Sequence, residues 1–137
     1  MSYLLDQIYN YLVASGQVGP TTSWPLHIGF MADDASQMVG LFETGGLPAD
    51  TLGRENQRPT FQVRVRAARL DYETCRTMWQ TLFNLLQDAQ QNSSPTLAGI
   101  YLIQALHYGP MFFADDQGRS NMTSNWRVLM AADPGTN

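Results

Sequence analysis

A lone cysteine, two histidines, two pairs of adjacent aspartates and a cluster of arginines are the side chains here with chemistry to offer. Cys75 with His107 as its base would make a nucleophilic thiol, but a reactive thiolate needs an electropositive, partly exposed setting. Cys75 falls instead on the apolar stripe of a helical pattern, where a small thiol packs as a hydrophobe. His27 and His107 lie in separate strand-like runs with no close His-x-His or His-x-x-x-His spacing, so a metal site would lack its third ligand. Asp33-Asp34 and Asp115-Asp116 suggest calcium or acid–base work, and Asp115, Asp116 and His107 together would compose a small metal-dependent hydrolase. Neither pair has the alternating spacing of an EF-hand loop, and both sit where turns are expected. Gly45-Gly46 belong to no dinucleotide or phosphate loop, and a chain without lysine has no phosphate-loop lysine. The residues therefore predict no catalytic group, no metal and no cofactor.

The arginines are different. All eight basic residues are arginine in a chain of net charge −4, and six of them fall between Arg54 and Arg76. An acidic domain is a poor candidate for sequence-specific nucleic-acid binding, because phosphate contacts call for a basic surface. In "RPTFQVRVRAA", residues 58–68, Phe61, Val63, Val65 and Ala67 alternate with Gln62, Arg64 and Arg66. Period two marks a strand with one dry and one wet face. Arg54 and Arg58 precede that strand and Arg69 follows it. Two readings stay open: a solvated sheet face, or a protein interface joined by an aromatic residue such as Trp24 or Phe113.

The elements that position these residues can be read from periodicity. With 137 residues and 44% hydrophobic composition, the chain is expected to be one folded domain, 1–137, with a frayed tail at 133–137. No apolar run approaches the ~18–20 residues of a membrane span. The N-terminal stretch has no basic region and carries Asp6 within its apolar part, unlike a secretory signal, so the chain is expected to be made in cytosol. Residues 2–15 read as a helix capped by Ser2 and stopped by Gly16; residues 71–91 are the main helix, with Tyr72, Cys75, Trp79, Leu82 and Leu86 on its apolar stripe. Strand-like runs occupy 26–31, 37–44, 61–67, 99–109, 110–116 and 121–132, the first two joined by a short polar turn holding Asp33 and Asp34. Gly40 marks a bulge or a close backbone contact. "DDQGR", 115–119, is a hairpin turn, and "NSSP", 92–95, ends the main helix. The order α-β-β-β-α-β-β-β predicts an α+β two-layer sandwich with a mostly antiparallel sheet. Residues 45–59 form a long loop, and loops of that length are commonly functional.

The ordered set "LFETGG" (41–46), long loop, "RPTFQVRVRA" (58–67), helix "DYETCRTMWQTLFNLL" and "ALHYGPMFFADDQGRSNMTSNWRVLM" (105–130) resembles the tail terminator (tail completion, minor capsid) proteins of long-tailed bacteriophages. The resemblance spans nearly the whole chain and implies a non-enzymatic virion protein of the tail–neck region, assembled in the bacterial cytoplasm. It implies a ring, typically of six copies, that caps the tail tube, stops its growth and meets the head connector or stopper protein, with DNA passing through. A head–tail stopper or adaptor is the alternative. A head-to-tail ring needs two unlike, complementary patches on each copy. The candidate interface residues are Arg54, Arg58, Arg64, Arg66 and Arg69 against Asp33, Asp34, Asp115 or Asp116, with Gly45 and Gly46 at the loop.

Overall fold

Alternation over residues 60–69 builds the strand at the centre of the sheet. The computed structural model describes residues 4–32, 37–46, 56–89, 97, 100–107 and 109–131. Its elements are α1 (Leu4–Ala14), β1 (Leu26–Ile28), β2 (Met38–Glu43), β3 (Asn56–Gln57), β4 (Thr60–Arg69), α2 (Tyr72–Asp88), β5 (Ile100–Ala105), β6 (Met111–Ala114) and β7 (Arg119–Ala131). The expected α+β order is present, with β4 in place of the expected strand 61–67 and one further short strand, β3, inside the stretch 45–59 expected to be loop. Pro59 has no N–H to donate and interrupts the ladder between them, yet both pair with β7.

The sheet runs β1-β2-β4-β7, with β5 and β6 following one another along the far side of β7. Ala105 pairs with Trp126 and Met111 with Thr123, so six steps on one strand face three on the other, and the chain between β5 and β6 leaves the ladder. The "DDQGR" hairpin forms as expected: Asp115 N donates to Arg119 O, Gly118 N donates to Asp115 O, and Gly118 takes φ +73°.

The pair β1–β2 is parallel, whereas every other pair is antiparallel. A short turn between neighbouring strands would have made a hairpin. Instead Gly29, at φ +85°, turns the chain away while its N–H donates to Leu41 O, and Val39 N donates to Pro25 O. Periodicity is the same in either direction, which is why the sequence could not show this. Asp33 and Asp34 lie outside the described residues, as do Ser2, the 92–95 stop and the 133–137 tail.

Both helices cover one face of the sheet. α1 lies over β1 and β2, α2 lies over β4, β5 and β7, and Tyr11 Oη donates to Leu85 O between them. Gly16 at φ +81° ends the first helix region, and Asp71 caps α2 by accepting from Thr74 N at 3.2 Å. Leu4, Leu5, Ile8 and Leu12 of α1 and Cys75, Met78, Trp79, Leu82, Phe83 and Leu86 of α2 are buried against Val39, Leu41, Phe61, Val63, Val65, Met122, Trp126 and Val128. Tyr72 departs from its expected place on the buried stripe: it is half exposed and leans on the equally exposed Phe112 of β6 at 5.3 Å.

Candidate protein-interaction face

Two helices on one side leave the other face of the sheet without a helical layer. Its side chains follow from register. Met38, Gly40 and Phe42 of β2 stand opposite Arg66, Arg64 and Gln62 of β4, which stand opposite Asn121, Thr123 and Asn125 of β7. Phe113 of β6 pairs with Asn121 and Gln104 of β5 with Arg127, bringing both onto the same face. β4 and β7 thus place Arg64, Arg66, Arg119 and Arg127 on one side of an acidic chain. Among the described residues, Asp115 is the carboxylate beside them, and it pairs with Arg119 at 2.8 Å.

The face of β4 that alternation marks as wet is largely dry. Arg66 is only 3% exposed, and its Nη2 donates to Ala32 O at 2.5 Å. The expectation of Arg66 as an interface residue is corrected accordingly: the chain leaving β1 folds over it, and its guanidinium ties that segment to the sheet. The same segment brings Met31 against Gly40, where an added Cβ would lie 2.5 Å from Met31 Sδ and 2.8 Å from the Phe42 ring. Gly40 therefore answers a close approach, but of side chains, and the β2–β4 register runs through it without a bulge.

Arg64 is half buried between two aromatic rings, with its guanidinium carbon 5.5 Å from the Phe42 centroid and 5.1 Å from that of Phe113. Such contacts contribute about 0.5–2 kcal/mol and hold the planar cation in one orientation. Its Nε–H is buried and finds no acceptor among the described residues. Gln62 Nε2 donates to Asn125 Oδ1 at 3.1 Å beside it, so the face offers a fixed cation, two rings and a strip of amides. That composition, aromatic and arginine-rich with depleted carboxylates, is that of a protein contact.

The remaining expected residues are scattered. Arg58 and Arg127 line a cleft of about 150 Å³ with Leu102, Val128 and Leu129, and Arg127 donates twice to Gln104 Oε1. Arg69 is exposed, with its stem against Gly118. Arg54 lies outside the described residues. Asp115 is engaged within its own hairpin, accepting from Gln117 N and Arg119 N at 3.0 Å and from Arg119 Nε at 2.8 Å. Burial alone would raise its pKa, but those hydrogen bonds and the Arg119 charge outweigh it and hold the carboxyl below its ordinary value. Asp116 is exposed at the hairpin tip. Gly45 and Gly46, at φ +98° and +112°, stand at a neck where the chain leaving β2 meets the chain before β4, and a Cβ on Gly46 would meet Arg58 O at 3.0 Å; residues 47–55 of the expected loop lie outside the described residues. Thr44 N donates to Thr60 O across the same neck. Backbone geometry accounts for both glycines.

Trp24, offered as an aromatic partner of the arginines, packs in the core instead. Phe42 was missed, and its signal was its place opposite Gln62, one step from Arg64. The run "MFF" at 111–113 puts apolar side chains on both faces of one strand, and all of β6 is exposed.

Cys75 and His107 do not form a catalytic pair. His107 is exposed beyond the end of β5, whereas Cys75 is fully buried with its thiol donating to Val65 O and Ser120 O. Burial pushes the thiol pKa up to about 11, far from the thiolate a nucleophile needs. Native protein at pH 8 should resist a thiol reagent and react fully once unfolded. Rapid labelling of the native protein, counted by mass, would contradict the buried placement.

No curated protein matches this sequence. A match to the family described as bacteriophage tail terminator protein covers residues 4–128, from the first turn of α1 to most of the way along β7. The chain belongs to the bacteriophage tail terminator family, and is a structural, non-enzymatic component of the phage tail and so of the virion, acting at the tail tube.

Proposed function

We propose that copies of this chain close into a ring on the end of the tail tube, stop its polymerisation and give the head a surface to join. The exposed part of the helix-free sheet face, around Phe42, Gln62, Arg64 and Phe113, is the docking surface in that assembly. The observation that carries the reading is Arg64, half exposed and held between the Phe42 and Phe113 rings on the helix-free face. A guanidinium held this way is pre-organised to take a carboxylate or carbonyl from a partner, and little side-chain entropy is lost on contact.

The test adds purified protein to polymerising tail-tube subunits and measures tube length. Native protein should shorten the tubes in the absence of any head protein; a neck stopper would bind the head connector and leave tube length unchanged. Arg64→Glu should lose at least tenfold in capping potency while its stability falls by no more than about 2 kcal/mol, since the side chain is half exposed. Arg64→Gln should fall between the two. Undiminished capping by Arg64→Glu at low and high salt would remove this face from the assembly.

A further inference from the structure

Among the described residues β1 pairs only with β2, whereas β5 and β6, each paired only with β7, share the far edge of the sheet, and the short β3 pairs only with β7 beside β4. β6 lacks the usual protections of an edge strand. It contains no charge and no proline, and Met111, Phe112 and Phe113 are 52%, 50% and 38% exposed. An apolar edge with open backbone groups is a template for another strand.

The hydrogen-bond pattern says which groups are open. Asp115 N donates to Arg119 O, so residue 115 faces β7; alternation turns the N–H and C=O of Phe112 and Ala114 outward. On the opposite edge, Val39 N donates to Pro25 O and Gly29 N donates to Leu41 O. Pro25, His27 and Gly29 therefore face β2, and Leu26 and Ile28 turn outward. Each edge thus offers two residues' worth of unpaired backbone, two positions apart.

We infer that β6 of one copy pairs antiparallel with β1 of a second copy, Phe112 opposite Ile28 and Ala114 opposite Leu26, so that the sheet continues from subunit to subunit. The inference rests on the ring reading above. Three independent features fit this occupant. β1 runs parallel to β2 and β7, and β6 runs opposite to them, so copies related by rotation about an axis along the strands meet in antiparallel, the readily formed pairing. Leu26 and Ile28 lie on the helix-bearing face, as Phe112 does in register with core Met122, so the join keeps helix side with helix side. A cleft of about 320 Å³ lined by Leu5, Asp6, Ile28, Gly29 and Glu43 opens beside Ile28, where the Phe112 ring would arrive. The same register puts Phe113 across from His27, whose ring already lies tilted against the half-exposed Phe30 at 4.6 Å. The two edges differ, so the contact is heterologous and repeats around a closed ring.

Two substitutions test this. Ala114→Pro removes an N–H that the chain itself does not use, so the monomer should keep its fold by circular dichroism while association, read by native mass spectrometry with tail-tube subunits present, weakens at least tenfold. His27→Cys and Phe113→Cys occupy a non-hydrogen-bonded pair, whose Cα separation of ~4.5 Å lies within disulfide reach. Mixed single variants should oxidise to a heterodimer only, and the double variant to a ladder ending in a closed ring. A closed complex that forms normally with Ala114→Pro and gives no cross-link would overturn the edge pairing and leave the ring standing. Self-linking of Phe113→Cys alone, or its linking to tube subunits, would also overturn the pairing by naming another occupant. A chain that stays monomeric on tube ends would remove the ring itself, and the pairing with it.

Discussion

Trp126→Ala should lower stability by about 3–5 kcal/mol, the largest single effect expected of any substitution in the core. Trp126 is fully buried on β7, the strand that every one of β3, β4, β5 and β6 uses as its partner. Its ring stacks on Phe61 of β4 at 6.4 Å and tilts against Phe83 of α2 at 5.1 Å. Its Nε1 donates to Ser124 Oγ at 2.8 Å, so the one polar atom of the indole is satisfied inside the core. Truncation removes contacts to both layers at once and leaves a void bounded by strands that cannot collapse without breaking register. Against a total stability of ~5–15 kcal/mol for a domain of this kind, such a loss approaches unfolding. The melting temperature should fall by about 10–20 °C, measured by circular dichroism. Trp126→Phe keeps the stack, removes the indole hydrogen bond and should cost about half as much or less. A fall below about 1 kcal/mol for the alanine variant would mean that this ring does not sit where the two layers meet.

Arg66→Glu should be nearly as damaging, although it lies two residues from a position where the same change is tolerated. The Arg66 guanidinium is buried and donates to Ala32 O, with Met38 and Asn121 on either side in register. A carboxylate there would confront that carbonyl without a donor and without water, a loss of about 3–5 kcal/mol. Arg66→Met removes the charge at similar length and should cost about 1–3 kcal/mol, the cost of an unsatisfied carbonyl. Urea unfolding followed by tryptophan fluorescence separates the three proteins. Equal midpoints for Arg66→Glu and wild type would mean that the segment around Ala32 does not cover Arg66. The contrast also governs how the interaction face is probed: changing Arg64 and Arg66 together reports on folding, whereas Arg64 alone reports on docking.

Fold class and element order were legible in the sequence because burial imposes a period, and a period survives without coordinates. Phe61, Val63, Val65 and Ala67 are all buried as their alternation required, and α2 buries Cys75, Trp79, Leu82 and Leu86 at helical spacing. The hairpin at 115–119 and the helix stop at Gly16 were legible because left-handed backbone selects glycine. What covers the polar side of a strand was not legible, because period two separates two faces without saying what packs on either. Arg64 and Arg66 have the same spacing and the same side chain; only a segment from elsewhere in the chain, Met31–Ala32, makes one a buried tie and leaves the other an aromatic-flanked cation. Strand direction was likewise hidden, since β1 alternates alike whether parallel or antiparallel to β2. The sequence by itself determined which residues are dry and what family the chain resembles. The tertiary structure alone decided which arginine is free to meet a partner and which sheet edges stay open, because both depend on contacts between segments far apart in the chain.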